Sequence, residues 1–240
     1  RIRRDGIVAP TIAHVVVTNG RQDYLEKTMQ QCFLNVGWDN LKLIGCYIVD
    51  DSGDPKYREW LAARFPRYEI VPVGDTPQGY ARAMKTVWKT VKRSGADYVF
   101  HLEDDFLFRN PVMLSDLVTV LQDDPGLAEV AFVRQPWFQN EIRHGGLIKA
   151  LEVRQVGPFT DMVSKSGINY IKHRAGWTTN PCVYPRWVTN YRWPNGTYSE
   201  PFFGKELLKN PKIAFAYYGH KEDKPRCEHI GVVKMGNSTE

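Results

Sequence analysis

Apolar positions follow two rhythms along the first hundred residues. "IAHVVVTNG" (12–20) is a β-branched run closed by Asn-Gly. "LKLIGCYIVDDSGD" (41–54), "YEIVPVG" (68–74) and "ADYVFHL" (96–102) likewise read as short strands, the first two ending in acidic or glycine residues. Between them, "QDYLEKTMQQCFL" (22–34), "YREWLAARF" (57–65) and "GYARAMKTVWKTVKRSG" (79–95) carry helical spacing, the last a basic amphipathic helix stopped by Gly95. Strands alternating with helices predict βαβ units and a parallel sheet. The second half is less regular. It predicts a helix over 111–122 with Pro111 near its start, a strand over 127–134, a helix over 201–210 ended by Pro211, and a strand over 212–219. The stretch 135–198, rich in Pro, Gly, Trp and Asn, predicts loops and short strands. The expected class is α/β, a single domain with a mixed, mainly parallel sheet flanked by helices.

In open α/β sheets, ligands lie beyond the carboxyl ends of the strands. Three polar clusters fall there: Thr18 to Arg21, Asp50 to Asp54, and Glu103 to Asp105. The last is the most demanding. Two like charges about 4 Å apart cost on the order of 4 kcal/mol at an effective dielectric near 20, and three carboxylates follow a strand meant for burial. A hard divalent cation, Mn²⁺ or Mg²⁺, relieves that cost and keeps positions open for a diphosphate. Asp105 with Glu103 or Asp104 is therefore a candidate metal site. His229, in "CEHIG", is a candidate imidazole ligand. In "VDDSGD", Asp50, Asp51 and Ser52 offer acceptors for a base or ribose, although Asp, Ser and Gly also make ordinary turns. Gly79 allows close backbone approach and Arg82 can pair with phosphate, whereas Lys85 and Lys89 read as a solvated helix face. Glu200, ahead of Pro201 and a helix, is a candidate general base, with Glu206 as its rival.

Charge alters the picture of the second half. Of a formal net charge of +5, residues 133–192 hold nine Lys/Arg against three Asp/Glu, and four of the seven tryptophans fall in or just beyond this window. A basic, aromatic region points either to a polyanionic or glycan partner, with Trp137, Arg174, Trp177 and Thr179 as candidate contacts, or to a solvated basic surface over an aromatic core. The four cysteines show no C-x-x-C, which fits reduced thiols and a cytoplasmic location. Two N-x-S/T sequons stand at Asn195 and Asn237. No apolar run approaches about 18 residues, so no membrane span is expected. Neither a P-loop nor a G-x-G-x-x-G motif occurs, which removes the main support for those nucleotide-binding classes.

Taken in order, "VVVTNGR", "YIVDDSGD", "GYARAM", "FHLEDDF", "SEPFFGKEL" and "HIG" resemble the family 2 glycosyltransferases of the GT-A fold. The style of the chain, including "TTNPCVYPRW", is similar to short glycosyltransferases of actinobacterial phages. The resemblance implies a nucleotide-binding half (1–108) and an acceptor-binding half (109–240). It implies that Thr18, Asn19, Arg21, Asp50 or Asp51, Ser52, Gly79, Arg82 and Asp104 face a nucleotide-sugar, UDP-linked by preference. It further implies Asp105, a neighbouring carboxylate and His229 on the metal, and Glu200 as the base. The chain departs from the pattern where "EDD" replaces D-x-D and where the family's Glu-Asp base pair is missing. The acceptor expected first is a hydroxymethylated base in DNA. A protein or glycan acceptor, or a non-catalytic binding module, is the alternative.

Overall fold

A computed structural model of the chain describes residues 9–231. Strands β1 (Thr11–Thr18), β2 (Val36–Gly37), β3 (Lys42–Asp50), β4 (Glu69–Pro72) and β5 (Tyr98–Glu103) alternate with helices α1 (Gln22–Asn35), α2 (Pro55–Arg64) and α3 (Tyr80–Ser94). Short strands β6 (Phe106–Phe108) and β7 (Val112–Met113) precede α4 (Leu114–Asp123) and β8 (Leu127–Ala131). Next come α5 (Gln139–His144), α6 (Leu147–Val153), β9 (Phe159–Val163), β10 (Asn169–His173) and β11 (Cys182–Pro185). A 3-10 turn over Arg186–Asn190, α7 (Ser199–Leu208), β12 (Ala214–Tyr218) and β13 (Cys227–His229) complete the order.

Nine strands make one sheet in the order β4-β3-β1-β5-β11-β8-β12-β10-β9. The first four run parallel. Strand β11 enters antiparallel to both β5 and β8, and so joins residues from the two halves of the sequence in a single sheet. Strand β12 returns parallel to β8, and β10 and β9 close the far edge antiparallel.

Strand β1 is buried from Ile12 onward because both of its faces are covered. Ile12 and Val16 pack with Leu25, Met29, Leu61 and Leu117 from α1, α2 and α4. Ala13, Val15 and Val17 pack with Met84, Val87 and Phe203 from α3 and α7. Full burial of each such side chain contributes on the order of 1.5–3 kcal/mol. Parity then fixes the chemistry. Along β5, Phe100 and Leu102 join the α1/α4 layer while Val99 joins the α3/α7 layer, so Glu103 shares the side of Val99.

Several expectations need correction. Pro111 does not start a helix; it precedes β7, which pairs with β2, and α4 begins at Leu114. Helix α7 starts at Ser199, which puts Glu200 and Pro201 inside its first turn, where a missing N–H is tolerated. The stretch 135–198 holds two helices besides its strands. Two of its four tryptophans are core, as the aromatic-core alternative has it: Trp177 and Trp193 are 5% and 1% exposed, and their rings lie 5.2 and 4.6 Å from that of Phe203.

Candidate active site

The carboxyl ends of β1, β3 and β5 open onto a cleft of about 360 Å³, lined among others by Thr18, Asn19, Arg21, Asp51, Gly79 and Asp105. Asp104 organises its floor. Its Oδ2 accepts from Thr18 Oγ1 at 2.8 Å, its Oδ1 pairs with Arg21 Nη2, and its carbonyl accepts from Thr28 Oγ1 at 2.8 Å. Burial raises the Asp104 pKa more than Arg21 lowers it. The same guanidinium reaches Asp105, with Nη1 at 2.7 Å from Oδ2, so Arg21 bridges two of the three consecutive acids. Asp51 carries the opposite wall: its two oxygens accept from Gln78 N and Gly79 N, each at 2.8 Å, and hold the start of α3 against β3.

His229 arrives from 124 residues away because β13 pairs antiparallel with β6, with His229 opposite Phe106. Ile230 N donates to the Asp105 carbonyl at 2.8 Å, and His229 Nε2 ends 3.2 Å from Asp105 Oδ2. Burial acts to raise the Asp105 pKa, but hydrogen bonding from His229 and the charge of Arg21 outweigh it and hold the carboxylate below its usual range. Trp137 packs edge-on against the imidazole at 4.4 Å. Its loop is fixed by Glu141, which accepts from Trp137 N at 2.7 Å and from Phe138 N at 3.2 Å while pairing with the largely buried Arg134 at 2.7 Å.

A second cleft of about 710 Å³ adjoins the first, and Gly79, Tyr80 and Glu103 line both. Glu200 is in its wall, half-buried, with Oε1 accepting from Thr179 N at 2.8 Å. The Tyr80 hydroxyl donates to Thr179 Oγ1 at 2.6 Å. Enclosure by protein raises the Glu200 pKa despite these hydrogen bonds. Beneath lies Glu129, 1% exposed, whose Oε1 accepts from Thr178 N at 3.0 Å and whose Oε2 has no partner among the described residues. Burial pushes its pKa well up.

No protein-family model and no curated protein matches the sequence. Solved structures do. A mannosyltransferase, PcManGT from Pyrobaculum calidifontis in complex with GDP-Man and Mn²⁺, superposes with a TM-score of 0.57 at 14% identity, over 95% of this chain and 59% of that one. Residues 1–349 of S. aureus TarS give 0.55 at 10% identity, over 92% and 60% of the two chains. GalNAc-T7 with UDP, GalNAc and Mn²⁺ gives 0.58 at 9% identity, over 96% and 45%. The fold is GT-A. The chain spans about half to three-fifths of the length of these neighbours.

The GT-A cleft has donors suited to a divalent ion. Asp105 Oδ1 is buried without a partner among the described residues. Gly231 leaves the space beside the pair open, since a Cβ there would stand 2.3 Å from Asp105 Oδ2 and 3.0 Å from His229 Nε2. One carboxylate and one imidazole are few protein ligands for a divalent ion, and would leave further coordination positions open. Among the described residues no three His, Cys, Asp or Glu side chains converge as a ligand set, so Glu103 does not complete one. Strand parity turns it toward Tyr80 and Thr179 instead.

Other expectations are also revised by this GT-A frame. Asp50 is fully buried, with its carboxylate engaged by Arg58 Nε at 2.8 Å and Ser52 N at 2.9 Å, and faces no cleft. Ser52 accepts from Asp54 N and packs beneath Gly20. Arg82 lines the Glu200 cleft rather than the Asp105 cleft. Arg174 is spent on the carbonyls of Leu208, Asn210, Pro211 and Ile213 behind α7, and Trp177 is core, so neither faces an acceptor. Glu206 pairs with Lys209 at 2.5 Å on the surface, away from both clefts. Sequence reasoning missed Tyr80, which divides the clefts, and the Arg134–Glu141 pair. A Tyr directly after the Gly79 turn was the available signal for the first. Asn195 lines the Glu200 cleft and Asn237 lies outside the described residues. The four cysteines are free thiols, and no described helix is long and apolar enough to cross a membrane.

Proposed function

We propose that this chain transfers a glycosyl group from a nucleoside-diphosphate sugar to an acceptor hydroxyl, with inversion at the anomeric carbon. One observation carries the reading. Two clefts meet at Gly79, Tyr80 and Glu103, one holding the Asp105–His229 pair beside Arg21 and the other holding Glu200. Two fold neighbours lend support, since one complex contains GDP-Man with Mn²⁺ and another UDP and GalNAc with Mn²⁺.

In this reading Asp105 and His229 hold Mn²⁺ or Mg²⁺, while Thr18, Asn19, Asp51 and Gly79 border the nucleotide. A bound divalent ion supplies electrostatic stabilisation of the departing diphosphate. Arg21 adds a fixed positive group on the same side, already oriented by Asp104 and Asp105. Thr179 N–H holds the Glu200 carboxylate in place. Glu200 takes the acceptor's hydroxyl proton as that oxygen bonds to the anomeric carbon. The bond from this carbon to the diphosphate oxygen breaks, and the nucleoside diphosphate leaves. Entry of donor and acceptor from opposite sides of Tyr80 suits a single in-line displacement.

A UDP-sugar is the first donor to test and a GDP-sugar the second. A hydroxymethylated base in DNA is the first acceptor, with a protein or glycan acceptor as the alternative. The phage-type resemblance and a cytoplasmic setting belong to this same proposal. The test is thermal stabilisation and nucleoside-diphosphate release with UDP- and GDP-sugars, with and without Mn²⁺. Stabilisation that needs both Mn²⁺ and a nucleotide sugar, and is lost in Asp105→Asn, is expected. A wild-type protein that responds to no pair of sugar nucleotide and metal would overturn the reading.

A further inference from the structure

Helix α3 carries a cationic face that no acid among the described residues pairs with. Its sequence contains Arg82, Lys85, Lys89, Lys92 and Arg93 and no Asp or Glu. Four of these, at 82, 85, 89 and 92, share one side of the helix, opposite the buried Ala83, Met84, Val87, Trp88 and Val91. Arg82, Lys89 and Lys92 are exposed and make no hydrogen bond or ion pair among the described residues. Lys85 reaches only the neutral Asn195 side chain. Arg93, one position round, is already paired with Glu69.

The two ends of this face are informative. Arg82 lines the Glu200 cleft, whose rim also presents Tyr198, 51% exposed. Lys92 lines a separate cavity of about 810 Å³ together with Arg186 and Trp187. Among the described residues the only acid lining that cavity, Asp97, is occupied by the amide and hydroxyl of Thr11. Ten rises of about 1.5 Å from Arg82 to Lys92 make a stripe about 15 Å long, enough to meet several consecutive phosphates. Like charges at helical spacing with no acid among them repel one another, so the face is destabilised by itself and relieved by a polyanion.

We propose that the α3 stripe is a track for the phosphodiester backbone of a polynucleotide acceptor, leading one nucleotide into the Glu200 cleft. The track deepens the transfer reading above and rests on it. Cations spaced along a line select a linear polyanion over a single phosphate, and the flanking rings of Tyr198 and Trp187 are suited to stacking on bases. A polynucleotide is therefore favoured over a polyol phosphate, which has no bases to stack.

The test measures binding of a short single-stranded thymidine oligonucleotide by fluorescence anisotropy across a salt series. Wild-type protein is expected to bind at low salt with affinity falling steeply as salt rises. The Lys89→Gln/Lys92→Gln double variant should bind more than about tenfold more weakly at about 0.1 M salt, with the salt slope reduced by about 1.4. The control, Lys27→Gln/Lys165→Gln, removes two exposed cations elsewhere and should leave binding as in wild type. No binding at low salt, equal loss in the control, or binding of a polyribitol phosphate in place of the oligonucleotide would each overturn the proposal. Stabilisation of wild-type protein by Mn²⁺ with a nucleotide sugar reads the transfer function separately, so failure of the track and failure of the enzyme are told apart.

Discussion

Glu200 and Glu129 are two carboxylates linked through adjacent backbone amides, Thr179 N–H and Thr178 N–H, and they differ in what surrounds them. Glu200 opens to a cleft, and its pKa is raised by enclosure. A base must be ionised, so kcat/KM should fall as pH drops through a value above the ordinary glutamate pKa of about 4.3. Glu200→Gln should keep donor binding and lower transfer by about 10²- to 10⁴-fold, while Glu206→Gln leaves it near wild type; steady-state kinetics with the reverse result would move the base to Glu206. Glu129 is sealed in, and its pKa is well above normal because of burial. The folded state therefore binds this proton more tightly than the unfolded chain, and stability declines as pH rises above the unfolded carboxylate value. Denaturant midpoints should accordingly decline less with pH in Glu129→Gln than in wild type. Glu129→Leu should lose about 1–3 kcal/mol at acidic pH, because Thr178 N–H then lacks an acceptor, and the deficit should shrink as pH rises, since the variant has no carboxylate to titrate.

At the scale of elements, the parallel half was legible and the ribbon was not. Helices α1 and α3 fall within a residue of the spans predicted from apolar spacing, because each buries one face against a strand that is itself apolar on both sides. Strands β6 and β13 have three residues each, too few for any period to show, and they pair across more than a hundred residues. The acid trio and His229 could be picked out in the sequence as chemistry; that Asp105 meets His229 while Glu103 lies where the two clefts join depends on that ribbon and on strand parity. The ribbon ends in a tight approach at Gly231. Gly231→Ala should push a methyl group into the Asp105–His229 pair and abolish Mn²⁺-dependent thermal stabilisation, with far-UV circular dichroism unchanged. Retained stabilisation would show that the pair is not where the ion binds. The aromatic window stayed ambiguous for a related reason: composition reports that Trp177 is present, and only its packing against Trp88, Tyr184 and Phe203 shows which way it faces.

Across the whole molecule, the two sequence halves are chemically distinct yet mechanically one. Both helix layers draw on each half: Ile12 and Val16 share a cluster with Leu117 and Val183, and Val15 and Val87 share the other with Tyr184 and Phe203. Separately expressed fragments 1–108 and 109–240 should each fail to give a cooperative melt, and mixing them should restore one. Two independent transitions in the isolated fragments would mean that the β5–β11 ladder is a junction between domains.

Late arrival of His229 also has a bearing on biosynthesis. By the time a ribosome has delivered β12, every strand of the large sheet exists, yet the imidazole that faces Asp105 is still unmade or inside the exit tunnel. A chain released between Tyr218 and Cys227 would thus contain all nine strands of the large sheet and still lack the imidazole that faces Asp105.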